Sequence, residues 1–551
     1  MARPLVRPFE APHFVALVQK GLGDDDRGAA IVTTLDLDLQ RETEALVAAH
    51  LASIEDRGAR NAAVLVVDNA SGDVLAYAGS ADFDDERIDG QVDMIQARRQ
   101  PGSTLKPFFY ELAFERGHDS GEMLADVPSS FGSPGERRYV PRDQDGVLAG
   151  PVRAREALAG SLNVPAVRLL ADLGPEPALA RLHELGFASL DRDARRYGLT
   201  LALGTGEVKL YELAGAYVAL ARAGERIPLR TRVTDPSPLP RRVMAAEAAA
   251  SVTEILADPT ARTRLVAGEA PFDPGFPVAV KTGTSAGYRD ALCAGYTRER
   301  TVVVWVGNAD GERANDLSGT EGAGPLFAEV MRRAMEDVAS PAPLFDPALL
   351  EDAEVCPLSG RRPGPACPDR VHLRFARGHT PPDTCAVHVK VSPDPGMPGR
   401  VPYRCDPAGE QTIALLPPLF TGWLRAQPDG APGRDPFGIP WYPAGWVPGC
   451  TAEPNEPAEV RITSPVAGTV FVVSNVPPPA RRAIEVRASA RGGNGGRPTA
   501  VDFFLDGRPV ARSRWPYSAH IEPAPGEHEI VALPADPQER ATVRPARFTV
   551  W

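Results

Sequence analysis

No apolar run in the sequence approaches the roughly 18 residues that a membrane-spanning helix needs. The start, Met-Ala-Arg-Pro-Leu-Val-Arg-Pro, lacks a basic stretch followed by an apolar core. No leader peptide is expected there, and the segment reads as a linker. Positive charge is in deficit: 60 Lys and Arg stand against 72 Asp and Glu, a net charge of −12. That balance argues against nucleic-acid binding and leaves no basic membrane-binding surface. Cysteine is scarce and unevenly placed, with only Cys293 of the six ahead of Cys356. No internal repeat is visible.

Proline and glycine are plentiful, at 57 and 51 residues, and the prolines thicken after about residue 340. A chain of 551 residues is long for one domain, so roughly two to four are expected. Residues 1–30 show little periodicity and read as a linker remnant. Leu39, Leu46, Val47 and Ile54 follow a helical period. Val64–Val67 and Val74–Tyr77 read as strands around the turn at Asp68–Gly72. Residues 110–270 read mostly helical, including a helix through Tyr211, Leu213, Ala214, Tyr217, Val218 and Leu220. Phe276–Val280, Leu292–Tyr296 and Thr301–Val306 read as further strands with short connections, which argues for an antiparallel sheet. The prediction for 31–345 is therefore an α+β domain, an antiparallel sheet flanked by helices. Residues 346–460 read as an irregular Pro/Gly/Cys-rich connection. Short strands return after 461, with a hairpin signal at Asp506-Gly507. A small β-sandwich is expected over 461–551.

Three short stretches carry chemistry. In Ser103-Thr-Leu-Lys106, the turn Pro101-Gly102 is followed by helical spacing, so Ser103 sits near a helix N-terminus with Lys106 on the same face. A serine hydroxyl needs an adjacent base, and a lysine of depressed pKa can serve. Alone, this pairing is more often a solvated surface pair. Ser161-Leu-Asn163 alone is more often a turn or a capping pair. Lys281-Thr-Gly-Thr284 alone could be an ordinary strand end. Their order and gaps, about 60 and about 120 residues, form a joint pattern.

That pattern resembles the transpeptidase module of class A penicillin-binding proteins, through Arg99–Phe108, Ser161–Pro165 and Val278–Asp290. Gly90-Gln-Val-Asp93, Ala125-Asp-Val-Pro128, Ala157–Pro165 and Cys356-Pro-Leu-Ser-Gly360 are similar to the 1C branch of that family. So is the small β-rich C-terminal domain, in position and size. The resemblance covers nearly the whole chain. It implies a D,D-transpeptidase that acylates Ser103 with a peptidoglycan stem peptide, and it implies covalent penicillin binding. Lys106 would be the base, Ser161 a proton relay and Asn163 a hydrogen-bond partner of Lys106. Lys281 and Thr282 would hold the substrate carboxylate. The N–H groups of Ser103 and Thr284 would form an oxyanion hole, and Gly283 would keep the strand edge open. The family's membrane anchor and glycosyltransferase domain find no match, so glycan polymerisation is not expected from this chain. The implied partners are stem peptides, β-lactams and other cell-wall proteins bound through the C-terminal domain, outside the cytoplasm. No cofactor and no metal are implied.

Three activities compete. A transpeptidase passes the acyl group to an amine. A D,D-carboxypeptidase or β-lactamase passes it to water. A sensor or scaffold would use the pocket only for binding. The cysteines are weighed apart. Cys356, Cys367, Cys385, Cys405 and Cys450 read as disulfide candidates in an oxidising compartment. Cys356, Cys367 and Cys385 with His372, His379 and His388 form a weaker metal pattern, for want of paired Cys-x-x-Cys knuckles. Cys293 is expected as a buried thiol outside any disulfide.

Overall fold

The computed structural model describes residues 9–391, 411–426, 438–443, 458–471 and 483–550. Within those spans, 24–25, 27, 29, 133–138, 144–145, 238, 264–270, 492–497, 499 and 536–540 are excepted. Described residues fall into two compact units.

The first unit is built on a five-stranded antiparallel sheet. Its strands are β1 (Asn61–Asp68), β2 (Val74–Ala78), β3 (Ala279–Thr284), β4 (Asp290–Tyr296) and β5 (Arg300–Gly307), in the order β2-β1-β5-β4-β3. The centre strands read as continuous apolar runs because both of their faces are covered. In β1, residues 61–67 are all buried. β3 lies at one edge.

Six helices matter for the site: α1 (Leu37–Ser53), α2 (Lys106–Glu115), α3 (Asn163–Leu173), α4 (Leu210–Ala221), α5 (Ala246–Ala257) and α6 (Gly324–Ala334). The α1 helix starts where Asp36 caps it, its carboxylate accepting from the N–H of Asp38 and Leu39 at 3.0 and 3.1 Å. α1 and α6 cover one face of the sheet, packing Leu39, Val47, Leu326 and Val330 onto Val64, Val66, Val302 and Val304. α4 covers the other face. Its Tyr217 ring lies 6.2 Å from Tyr296 of β4 and 5.6 Å from Phe108 of α2. All three rings are fully buried, and each contributes about 2 kcal/mol by leaving water. This stack ties the helix that follows Ser103 to the sheet.

Two stretches differ from the sequence reading. Within residues 1–30, Pro12–Lys20 forms a helix. Its Phe14 is buried with the ring 5.8 Å from Tyr77. Nine residues with three inward positions carry too short a period to stand out from a linker. In the connection after 346, Leu350–Val355 pairs with Val371–Ala376 as a hairpin.

The second unit includes two sheets, of four and five strands, after residue 458. They share one apolar core that includes Val460, Val486, Phe503, Ile530 and Phe548. Leu505 pairs with Arg508 around Asp506-Gly507, as the turn signal predicts. Of the aromatic residues there, Tyr517 is buried and Trp515 is 54% exposed.

Candidate active site

Ser103 lies in a short 3-10 turn, Gly102–Leu105, that runs straight into α2. Lys106 is the first residue of that helix. Pro107 beside it is tolerated because the first N–H groups of a helix have no partner within it. The turn is pinned from inside: Thr104 Oγ1 donates to Pro101 O at 2.8 Å, and Tyr217 Oη donates to Thr104 O at 2.9 Å. It also lies directly on β3. A Cβ on Gly102 would come within 2.6 Å of Thr284 O, and one on Gly283 within 2.4 Å of Pro101 O. Only glycines allow this approach, and Gly102 also has φ +55°.

Lys106 is fully buried. Its Nζ donates to Asn163 Oδ1 at 2.7 Å, to Ser161 O at 2.5 Å and to Leu162 O at 3.0 Å. Burial holds its amine well below the ordinary lysine range. The Lys281 cation pushes the same way, and the Asp143 carboxylate opposes both. Lys281 is 3% exposed, and its Nζ donates to Ser161 Oγ at 2.7 Å and to Thr282 O at 2.9 Å. Ser161 adopts a left-handed backbone, φ 60°, on the turn that feeds α3. That conformation exposes its carbonyl to one lysine and its hydroxyl to the other. Thr284 Oγ1 accepts from Gly319 N–H at 2.9 Å, and the Thr282 and Thr320 hydroxyls lie 3.4 Å apart.

The structure therefore joins Lys106, Ser161, Asn163 and Lys281 in one hydrogen-bonded set. Ser103, Thr282, Gly283 and Thr284 flank it on the turn and on β3. Sequence reasoning missed Asp143. It is 7% exposed and accepts a short hydrogen bond from the Asn163 N–H. Its other oxygen is buried with no hydrogen-bond partner among the described residues. The neighbouring Arg142 O accepts from Asn163 Nδ2 at 2.8 Å. An acid in a loop carries no pattern that marks it out in one sequence.

Cys293 is fully buried in β4. Cys356, Cys367 and Cys385 converge with His388, every ligand atom lying within 4.8 Å of the others. His372 and His379 are exposed and take no part. Cys405 and Cys450 lie outside the described residues.

Residues 62–332 match the family described as penicillin binding protein transpeptidase domain. Residues 346–390 match that described as penicillin-binding protein 1A, C-terminal domain. Residues 62–332 are thus similar in sequence to a penicillin-binding protein transpeptidase domain, and their antiparallel sheet with flanking helices is the fold of such proteins. Among individual proteins, the chain is similar to penicillin-binding protein 1C of Escherichia coli (strain K12). It is 35% identical over 330 residues, 59% of this chain and 40% of that protein. Penicillin-binding protein 1A of Pseudomonas aeruginosa is 26% identical over 392 residues, 59% of this chain and 46% of that protein. The chain thus spans less than half the length of each of these curated relatives. In fold it resembles the crystal structure of penicillin-binding protein 1A from Haemophilus influenzae. The TM-score is 0.59 at 18% identity, over 68% of this chain and 77% of that one. The PonA1 protein of Mycobacterium tuberculosis, solved in complex with penicillin V, gives a TM-score of 0.50 at 24% identity. That match covers 60% of this chain and 93% of that one.

Proposed function

We propose that the chain is a serine D,D-transpeptidase that cross-links peptidoglycan stem peptides outside the cytoplasm. The observation that carries this reading is the state of Lys106. It is fully buried, hydrogen-bonded to Asn163, beside a second lysine, and three residues from Ser103. A neutral amine there has two N–H bonds to share among its three acceptors, and its lone pair can take the Ser103 proton.

Ser103 Oγ forms a bond to the carbonyl carbon of the penultimate D-alanine. The proton passes to Lys106 Nζ. The tetrahedral oxyanion is held by the N–H groups of Ser103 and Thr284. The C–N bond to the terminal D-alanine then breaks, and its amine takes a proton relayed through Ser161 Oγ. Lys281 and Thr282 hold the terminal carboxylate. A second stem peptide's amine attacks the acyl-enzyme, restores the Ser103 hydroxyl and leaves a new amide. A β-lactam follows the first half of this path and stops, because its leaving group stays tethered in the same molecule.

Water as acceptor would make the same machinery a carboxypeptidase or β-lactamase. The amine acceptor is favoured by the similarity to penicillin-binding proteins 1A and 1C. The proposal covers cross-linking only and assigns no residue to glycan polymerisation. Among the described residues no helix is long and apolar enough to cross a membrane.

The test is intact-protein mass against time with excess benzylpenicillin. A stable single adduct, absent in Ser103→Ala, is the expected result. An adduct that forms and clears within seconds supports the hydrolase. No adduct at all sinks the catalytic reading.

A further inference from the structure

The connection after the catalytic domain holds a group that the transpeptidase chemistry does not use. Cys356, Cys367, Cys385 and His388 lie within one short stretch, inside the 346–390 segment that a single family description covers. All four ligand atoms fall within 4.8 Å of one another. Cys356 is fully buried, Cys385 is 8% exposed and His388 is 4% exposed.

The backbone is shaped around the sulfurs. Cys356-Pro-Leu-Ser-Gly360 closes a tight turn, with Gly360 N–H donating to Cys356 O at 2.9 Å and Gly360 at φ +66°. Inside it, the Ser359 N–H points at Cys356 Sγ, 3.5 Å away. A second turn repeats the device: the Gly364 N–H donates to Cys367 Sγ at 3.2 Å. Donors aimed at sulfur suit a thiolate better than a thiol or a disulfide. The strands of chain that carry Cys356 and Cys385 are stitched together. Cys356 N–H donates to Arg361 O at 2.8 Å, Arg362 N–H to Asp383 O at 3.0 Å, and Cys385 N–H to Arg362 O at 2.8 Å.

Disulfides account poorly for this cluster. Among the described residues the three sulfurs are an odd number gathered around a buried imidazole, which one disulfide does not use up. Three sulfurs and one imidazole nitrogen are instead a complete tetrahedral ligand set. With metal–sulfur bonds of about 2.3 Å, neighbouring ligand atoms in such a set sit about 3.8 Å apart. The observed spread needs only a small contraction. The set is closed, with no fourth position left for water or substrate, which is the form of a structural site.

The segment carries a small apolar cluster of its own. Among the described residues it includes Val355, Leu373 and Phe375, with Ala353 and Val371 packed against them. A metal held by Cys356, Cys367, Cys385 and His388 would tie the turns beside this cluster to one another.

We infer that Cys356, Cys367, Cys385 and His388 bind one structural zinc ion. Binding is ligand exchange without redox: three thiols lose their protons to solvent, and His388 binds through a neutral ring nitrogen. The metal then protects the thiols from oxidation. This inference replaces the disulfide expectation for these three cysteines and is independent of the transpeptidase reading.

The test uses the full chain, purified without chelator. Metal analysis should find one zinc per chain. Alkylation of the native protein should spare Cys356, Cys367 and Cys385 until a chelator is added. Cys367→Ser and His388→Ala should each lower zinc content roughly tenfold or more. Their benzylpenicillin adduct serves as a separate check that the catalytic domain is folded. If a variant fails that check, cobalt loading of the unaltered chain decides instead. Cobalt–thiolate charge-transfer bands of a tetrahedral site support the inference, and their absence overturns it. A zinc-free chain after equilibration with excess zinc, or a disulfide mapped between any two of the three cysteines, also overturns it. So does full zinc content in both variants.

Discussion

Lys281 Nζ donates to Ser161 Oγ at 2.7 Å, joining two residues 120 positions apart. The bond has two effects. It aims the serine hydroxyl, and it sets a cation close to Lys106, whose amine is already disfavoured as a charge by burial.

The first prediction follows from that cation. The base form of Lys106 is the neutral amine, present above its folded pKa and lost as pH falls through it. Burial and Lys281 lower that pKa, so acylation should persist well below the ordinary lysine range. Lys281→Met removes one depressing charge, and the acid limb of the acylation rate should move to higher pH. Stopped-flow acylation by benzylpenicillin across pH reads this. An unmoved limb would mean that Lys106 is not the titrating base.

Ser161→Ala removes the hydroxyl between the lysines and leaves its backbone in place. Acylation should slow by about 100-fold or more, the range for a lost proton-transfer group. Stability should change by only about 1 kcal/mol, the worth of one hydrogen bond. A melting curve and a rate constant on the same sample separate the two. A rate within a few-fold of the parent would remove Ser161 from the relay.

Asp143 has a positioning role, clamping Asn163 by its backbone N–H while Arg142 O holds the amide. Asp143→Asn keeps an oxygen acceptor for that N–H, but Asp143→Ala does not. The alanine variant should therefore acylate more slowly than the asparagine variant. The asparagine variant should also shift its acid limb to lower pH, because the Asp143 charge that opposes the depression of the Lys106 pKa is gone. Equal losses with no pH shift would reduce Asp143 to a packing role.

Gly283→Ala places a methyl where Pro101 O already lies, 2.4 Å away. The Ser103 turn must retreat. Overpacking of this kind costs about 1–3 kcal/mol. The acylation rate should drop by more than that loss explains at temperatures where the protein stays folded. A variant with parental acylation would show that the turn tolerates displacement.

Much of this site was legible in the sequence, because Ser103, Lys106, Ser161, Asn163 and Lys281 belong to motifs with fixed internal spacing. The strands were legible for another reason. Runs such as Val64–Val67 and Thr301–Val306 are apolar on both faces, and only a covered sheet needs that. Asp143 was not legible, since its role comes from where a loop lies and not from its neighbours in sequence. The ligand set around His388 was half legible. Cys385-Ala-Val-His388 is a close-spaced pair of the kind metal sites use. In the sequence it stands beside His372 and His379, which the fold leaves exposed, so four ligands cannot be picked from six candidates by spacing alone.

β3 ends its sheet, so along one side it has no neighbouring strand among the described residues. An open strand edge is usually a hazard, since any extended chain can add to it. Here the residues along it are Lys281, Thr282, Gly283 and Thr284, and the Ser103 turn lies across its end. On the proposed transpeptidase reading, a stem peptide added to this edge would be measured for length: it would run along the strand only as far as the turn before its backbone met the serine. Selectivity of this kind depends on where a peptide stops and little on the side chains it carries.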